Sequence, residues 1–194
     1  MLDAKYNFIG IDYGSKLAGT TVISYAMEDK LQLEQSRKKT DADDWLIQRL
    51  CALSPGAVYF DAPLSLPAAF YGKGDNYFYR DCDRITKAMS PMFLGGLTAR
   101  AIKLKHRLEE VDFFECYPGY LAREVLQISR FYTKKQSLQN EAIDLLEKLL
   151  PLPMKRTPEN WHQFDAVLAW ITGHRMQEGQ ALFLGDPDEG QIVI

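Results

Sequence analysis

The chain has 194 residues, 46% hydrophobic and 25% charged, proportions that exclude a disordered polymer and fit a single domain, residues 1–194, with one large core. A formal charge of −3 and a pI near 5.7 repel polyanions at long range, so a nucleic-acid partner would need local positive charge or bound metal. Apolar runs fall short of the roughly 18–20 residues that cross a bilayer, Met1 to Tyr6 lacks the layout of a secretory signal, and Cys51, Cys82 and Cys116 form no CxxC pair, which together read as a cytoplasmic protein with reduced packing thiols and no membrane contact.

From Tyr6, the run YNFIGIDYGS reads as a buried strand closed by Asp12 and a Gly14-Ser15 turn. Ala18 to Ala26 is rich in Thr, Val and Ile, and Lys30 to Arg37 alternates Leu31 and Leu33 with polar neighbours, giving a three-stranded antiparallel meander. Thr40 or Asp41 caps a helix through Leu53, stopped by Pro55-Gly56. Ala57 to Asp61 is a fourth strand, apolar on both faces and again ending on an acid. Residues 68–90, rich in Tyr, Gly, Asp and Arg without a period, read as a long ordered loop or short helical turns.

A helix from Gly96 to Glu110 sets Leu97, Ala101, Leu104 and Leu108 on one face and Arg100, Lys103 and Arg107 on another. Val111 to Cys116 is a fifth strand, with Glu115 near its end and Tyr117-Pro118-Gly119 turning the chain. Helices are expected over 120–128, 137–150 and 158–176, and the tail from Ala181 carries two short apolar runs around a Gly185 to Asp188 turn.

Three acids, Asp12, Asp61 and Glu115, thus stand at strand ends, where an open α/β sheet forms its ligand crevice. In the last helix Trp161, Phe164, Leu168 and Ile171 make an apolar arc with Asp165 on its edge. Gathering ionised carboxylates partly out of water costs several kcal/mol per ion. No lysine or arginine is next to these acids in sequence, Lys16 being four residues after Asp12. A hard divalent cation on oxygen ligands, Mg²⁺ or Mn²⁺, is therefore the expected compensation. Taken singly, each acid also has a structural reading: Asp12 as a turn residue, Asp61 as a cap, Glu115 as the partner of a basic loop residue.

On these residues the sequence resembles the domain-of-unknown-function 429 family, regarded as predicted nucleases with a ribonuclease H-like fold. The resemblance spans nearly the whole chain through GIDYGS (10–15), FDAPLSLP (60–67), RDCDR (80–84), FECYPG (114–119), HQFDAVLAW (162–170) and GDPDEGQIVI (185–194). It implies an α/β fold with a five-stranded mixed sheet, the first three strands antiparallel, flanked by helices, with Asp12 on the first strand and Asp61 on the fourth. It also implies that Asp165 completes the metal site.

Further candidates surround this set. Arg80 and Arg84 could grip a phosphate or tie down their loop, and Arg100, Lys103 and Arg107 could follow a nucleic-acid backbone or simply be solvated. His162, one turn from Asp165, could move protons or act as a structural donor. The leading expectation is a hydrolase of phosphodiester bonds in DNA or RNA, with Asp12, Asp61 and Asp165 as metal ligands and Glu115 and His162 beside them. A second is nucleotide binding or phosphoryl transfer of the actin-like kind, because GIDYGSKLAGTT resembles a phosphate-binding hairpin with Gly14 and Ser15 turning toward phosphate and Lys16 following as a further substrate-binding candidate; one such domain would then have to pair as a homodimer. A third is a non-catalytic binding module on the same fold.

Overall fold

The computed structural model describes residues 2–194. Strands β1 (Phe8–Asp12), β2 (Val22–Met27) and β3 (Lys30–Gln35) form the expected antiparallel meander. Helix α1 (Ala42–Leu53), capped by the Asp41 carboxylate on the amides of Asp43 and Asp44, leads into β4 (Ala57–Asp61), which pairs parallel with β1. The segment read as a loop folds into a 3₁₀ turn (Ala68–Tyr71) and the short helices α2 (Asp81–Thr86) and α3 (Pro91–Leu94). Then come α4 (Gly96–Arg107) and β5 (Asp112–Cys116), parallel to β4. Helix α5 (Pro118–Tyr120) continues as a π-helical turn (Leu121–Val125), followed by α6 (Asn140–Leu149) and α7 (Trp161–Gln177).

The sheet has seven strands and not the expected five, in the order β3-β2-β1-β4-β5-β7-β6. The two additions, β6 (Phe183–Leu184) and β7 (Ile192–Val193), are the apolar runs of the tail, with β7 parallel to β5 and β6 antiparallel to β7. Each is two residues long, too short to show the alternation that identifies a strand in a sequence.

Side-chain alternation divides the core into two layers. Ile9, Ile11, Val58, Phe60 and Phe113 pack under α1 and α4. Phe8, Tyr59 and Phe114 face α7, α6 and the π-helical turn. Helix α7 is buried from Phe164 to Gly173 on every side, not along a single arc, because the sheet covers one flank and the chain between β5 and α7 covers another. It crosses β1 at glycine: a Cβ on Gly10 would stand 2.2 Å from the Trp170 amide nitrogen and 2.5 Å from the Ala166 carbonyl, while Gly173 leaves room for Phe8 and Tyr59. Gly173 over Phe8 and Ala166 over Gly10 fix an antiparallel crossing. From Phe8, four strand residues carry the chain about 13 Å, and from Gly173 eight helical residues carry it back about 12 Å, which brings Asp165 level with Asp12.

Candidate metal centre

Asp12 and Asp61 are direct partners in the β1–β4 register, at the carboxyl ends of two parallel strands. Both belong to the alternation that faces α7, since Phe8, Gly10 and Asp12 point one way and Ile9 and Ile11 the other. The first turns of α7 lie above them, pinned at the start by the Asn160 cap on the Gln163 amide and by Gln35, which accepts from Asn160 and Gln163. Oxygens of Asp12, Asp61 and Asp165 all lie within 4.8 Å of one another.

The three acids have unequal partners. The His162 Nδ1 sits 2.8 Å from Asp12 Oδ2. Asp165 accepts from the Tyr132 hydroxyl on Oδ1 (2.7 Å) and pairs through Oδ2 with the Lys134 ammonium. Asp61 has no ion-pair partner among the described residues. Burial raises the pKa of Asp12 against the pull of His162. It raises Asp61 well above the usual carboxylate range, with repulsion from Asp12 and Asp165 adding to it. Burial likewise lifts Asp165 to about 6 despite Lys134. The hydrogen bond to Asp12 holds the His162 imidazolium above its ordinary value, and burial pushes the Tyr132 hydroxyl far up.

Glu115 is not in this cluster. It pairs in register with Phe60, not Asp61, so it points into the opposite layer, and the buried Cys116 takes the neighbouring position on the α7 face. Glu115 is bound by Arg80 through Nη1 to Oε2 (2.7 Å) and Nη2 to Oε1 (2.6 Å), and accepts the Leu64 amide (2.8 Å). Arg80, fully buried, also holds Asp83 and Ser65. All its charge is used inside the protein, which corrects its reading as a phosphate ligand: it ties the segment after β4 to β5. Glu189 from the tail closes the same segment by accepting the amides of Ala68 and Asp81, 2.7 Å each.

The basic stripe on α4 does not act as one surface. Arg100 bonds Asp43 with two nitrogens (2.6 and 2.9 Å) and the Gly14 carbonyl (3.2 Å), over the Tyr13 ring. Lys103 and Arg107 are exposed, but α4 runs away from the acids, and Arg107 borders Ser54, Pro55 and Val111 near the opposite ends of the strands. Arg84 is exposed beside Lys73 and Asp81. Ser15 and Lys16 lie in the exposed β1–β2 connection, where Lys16 pairs with Asp41 at 2.8 Å. The Gly14 amide, which a phosphate-binding hairpin would present to its ligand, donates to Thr21 Oγ1 (3.1 Å).

Beside the acids opens a cavity of about 260 Å³, lined by Asp61 with Pro63, Met89, Leu94, Leu97 and Tyr117. The residues that sequence reasoning missed are Tyr132 and Lys134, while Cys116 is the buried packing thiol expected of it. The Lys134-Lys135 pair is visible in the sequence only as a break between helices. No family model, no curated protein and no solved structure matches the chain, so the resemblance drawn above rests on the motifs that carry it.

Proposed function

We propose that this protein is a ribonuclease H-like nuclease that hydrolyses phosphodiester bonds with Mg²⁺ or Mn²⁺ held by Asp12, Asp61 and Asp165. The observation that carries this reading is the convergence of three acids, from two strands and a helix far apart in sequence, on one spot. Among the first five strands only β2 runs against the rest, with helices on both faces, which agrees with the fold the motif resemblance implies. The donor set fits a hard cation: all ligands are carboxylates, and oxygens on opposite sides of one ion stand about 4–5 Å apart. Asp61, half-buried and without an ion-pair partner among the described residues, is where such an ion would best relieve the crowding of the acids.

When bound, a divalent ion supplies Lewis acidity toward phosphoryl oxygens and lowers the pKa of water. The chain's residues do the remainder. Asp12 and Asp61 are fixed by strand register, Asp165 is oriented by Tyr132 and Lys134, and His162 holds a proton at Asp12 Oδ2. Calorimetric titration with Mn²⁺, with cleavage assays on single- and double-stranded DNA and RNA, tests the reading. Wild type is expected to bind the ion and cleave, and Asp61→Asn to do neither; a wild type that neither binds Mn²⁺ nor cleaves refutes it.

One observation favours a second reading. Lys134 and His162 already offset part of the acidic charge, as they would in a binding module that uses this carboxylate network without metal. That module would keep its ligand in EDTA.

A further inference from the structure

We propose that the centre takes one divalent ion, on Asp12 and Asp61, and that the Lys134 ammonium, held on Asp165, acts as its second cation and contacts the phosphate being cleaved. This rests on the metal-dependent reading above, narrows the direct ligands from three acids to Asp12 and Asp61 with Asp165 holding the ammonium, and specifies the stoichiometry and a catalytic residue.

The argument is the distribution of partners. Asp165 has both oxygens engaged, Oδ1 by the Tyr132 hydroxyl and Oδ2 by Lys134. Asp12 has one engaged, by His162. Asp61, beside Asp12 in register, has no ion-pair partner among the described residues. Free ligand capacity therefore lies between Asp12 and Asp61, while the Asp165 side carries a positive charge that would repel a second ion.

Nor is Lys134 a loose surface lysine. Tyr132, two residues earlier, packs edge-on against Trp161 (5.5 Å) and against Phe164 (6.1 Å), and the Lys134 ammonium lies 5.3 Å from the Tyr132 ring centre. Tyr132 and Lys134 thus grip one carboxylate from a segment anchored on α7. One divalent ion and one ammonium neutralise three carboxylates even before the His162 ring is counted, and a second ion would leave the centre positive before any substrate arrived. Half of the Lys134 side chain remains exposed, so a phosphate can reach it.

The reaction is hydrolysis. The oxygen of water bonds to phosphorus as the bond to the leaving oxygen breaks, and a proton of that water reaches the leaving oxygen through solvent. Lys134 stays charged throughout and stabilises the charge on the departing oxygen.

Calorimetry and equilibrium dialysis with Mn²⁺ on the wild-type chain should give one ion per chain, a measurement that needs no variant. Lys134→Met keeps the aliphatic stem. It should bind Mn²⁺ no more weakly than wild type and take up a second ion at high concentration, yet cleave bis(4-nitrophenyl) phosphate at least 100-fold more slowly in kcat, with Lys134→Arg recovering part of the rate. Two ions per wild-type chain, or a Lys134→Met kcat within threefold of wild type, overturns the inference and leaves the metal reading intact. A wild-type chain that binds no Mn²⁺ overturns both.

Discussion

Asp61 is held in a state that suits an ion better than it suits the empty fold. Burial and two neighbouring acids disfavour its charge, and no cation among the described residues pairs with it, Lys134 acting on it only from its place on Asp165. Asp61→Asn should therefore stabilise metal-free protein at pH 7.5 by roughly 0.5–2 kcal/mol in urea unfolding while removing Mn²⁺ binding, the trade between stability and activity expected of a functional residue. The pH dependence has a definite sign. Asp165 titrates at about 6 in the fold against 3.8 ordinarily, so between those values the folded state holds more protons, and stability must fall as pH rises through that window. His162, raised by Asp12, adds stability that is complete below 6.5 and is lost as pH climbs through its folded value. Unfolding free energies in EDTA should decline from pH 4.5 to 7.5, and Mn²⁺ should restore them at pH 7.5 but not at 4.5, where protonated acids cannot bind it. Increasing stability across that range would mean that the acids are not crowded. Arg80 gives the opposite case, a buried charge that is fully paired. Arg80→Met would strand Asp83 and Glu115 without a cation, so a loss of roughly 3–5 kcal/mol is expected in thermal or urea unfolding, with Mn²⁺ affinity little changed wherever the variant remains folded.

At the scale of elements, the centre depends on α7 lying directly on β1. Gly10→Ala puts a methyl group against the helix backbone at Trp170 and Ala166, neither of which can swing aside as a side chain could. The expected cost is about 3 kcal/mol in urea unfolding, with weaker Mn²⁺ binding because Asp165 is lifted from Asp12 and Asp61. How much of this was legible in the sequence differs by element. Asp12 and Asp61 could be found because each closes an apolar strand, and Asp165 because it stands next to Phe164 in a helical pattern. The face that Glu115 occupies could not be read. β5 borders core on both sides, so its residues show no alternation from which to tell the layers apart, and only pairing with β4 settles the parity. Lys134 was hidden for a related reason: its 31-residue separation from Asp165 is bridged by tertiary folding, and the connection holding it has no period. Arg80 was visible as a loop arginine, but whether a guanidinium meets solvent or a carboxylate is decided by what packs around it.

For the molecule as a whole, where the positive charge is committed is more informative than the net charge of −3. Arg100, Arg80, Arg49 and Lys16 are all committed to carboxylates of the same chain. If nucleic acid binds through the centre alone, few phosphates are neutralised by side chains, and the plot of log K against log salt should have a slope of magnitude below about 4. Fluorescence anisotropy of a labelled oligonucleotide in Ca²⁺, across a salt series, measures it. A much steeper slope would point to a basic track elsewhere on the surface. No helix is long and apolar enough to cross a membrane among the described residues.

The pairing of Asp12 with Asp61, rung for rung, makes the two strands count like teeth on meshed gears. Removing one residue from β4 ahead of Asp61, with the start of the strand held in place, would swing that acid through the sheet to the side of Phe113. The same deletion in β5 would turn Glu115 to the face that holds Asp12, opposite Tyr59, and send Cys116 away. Neither edit removes an acid, yet the first would dismantle the centre and the second would place a further carboxylate on its face. Changes of length can therefore be absorbed only in the connections between these strands.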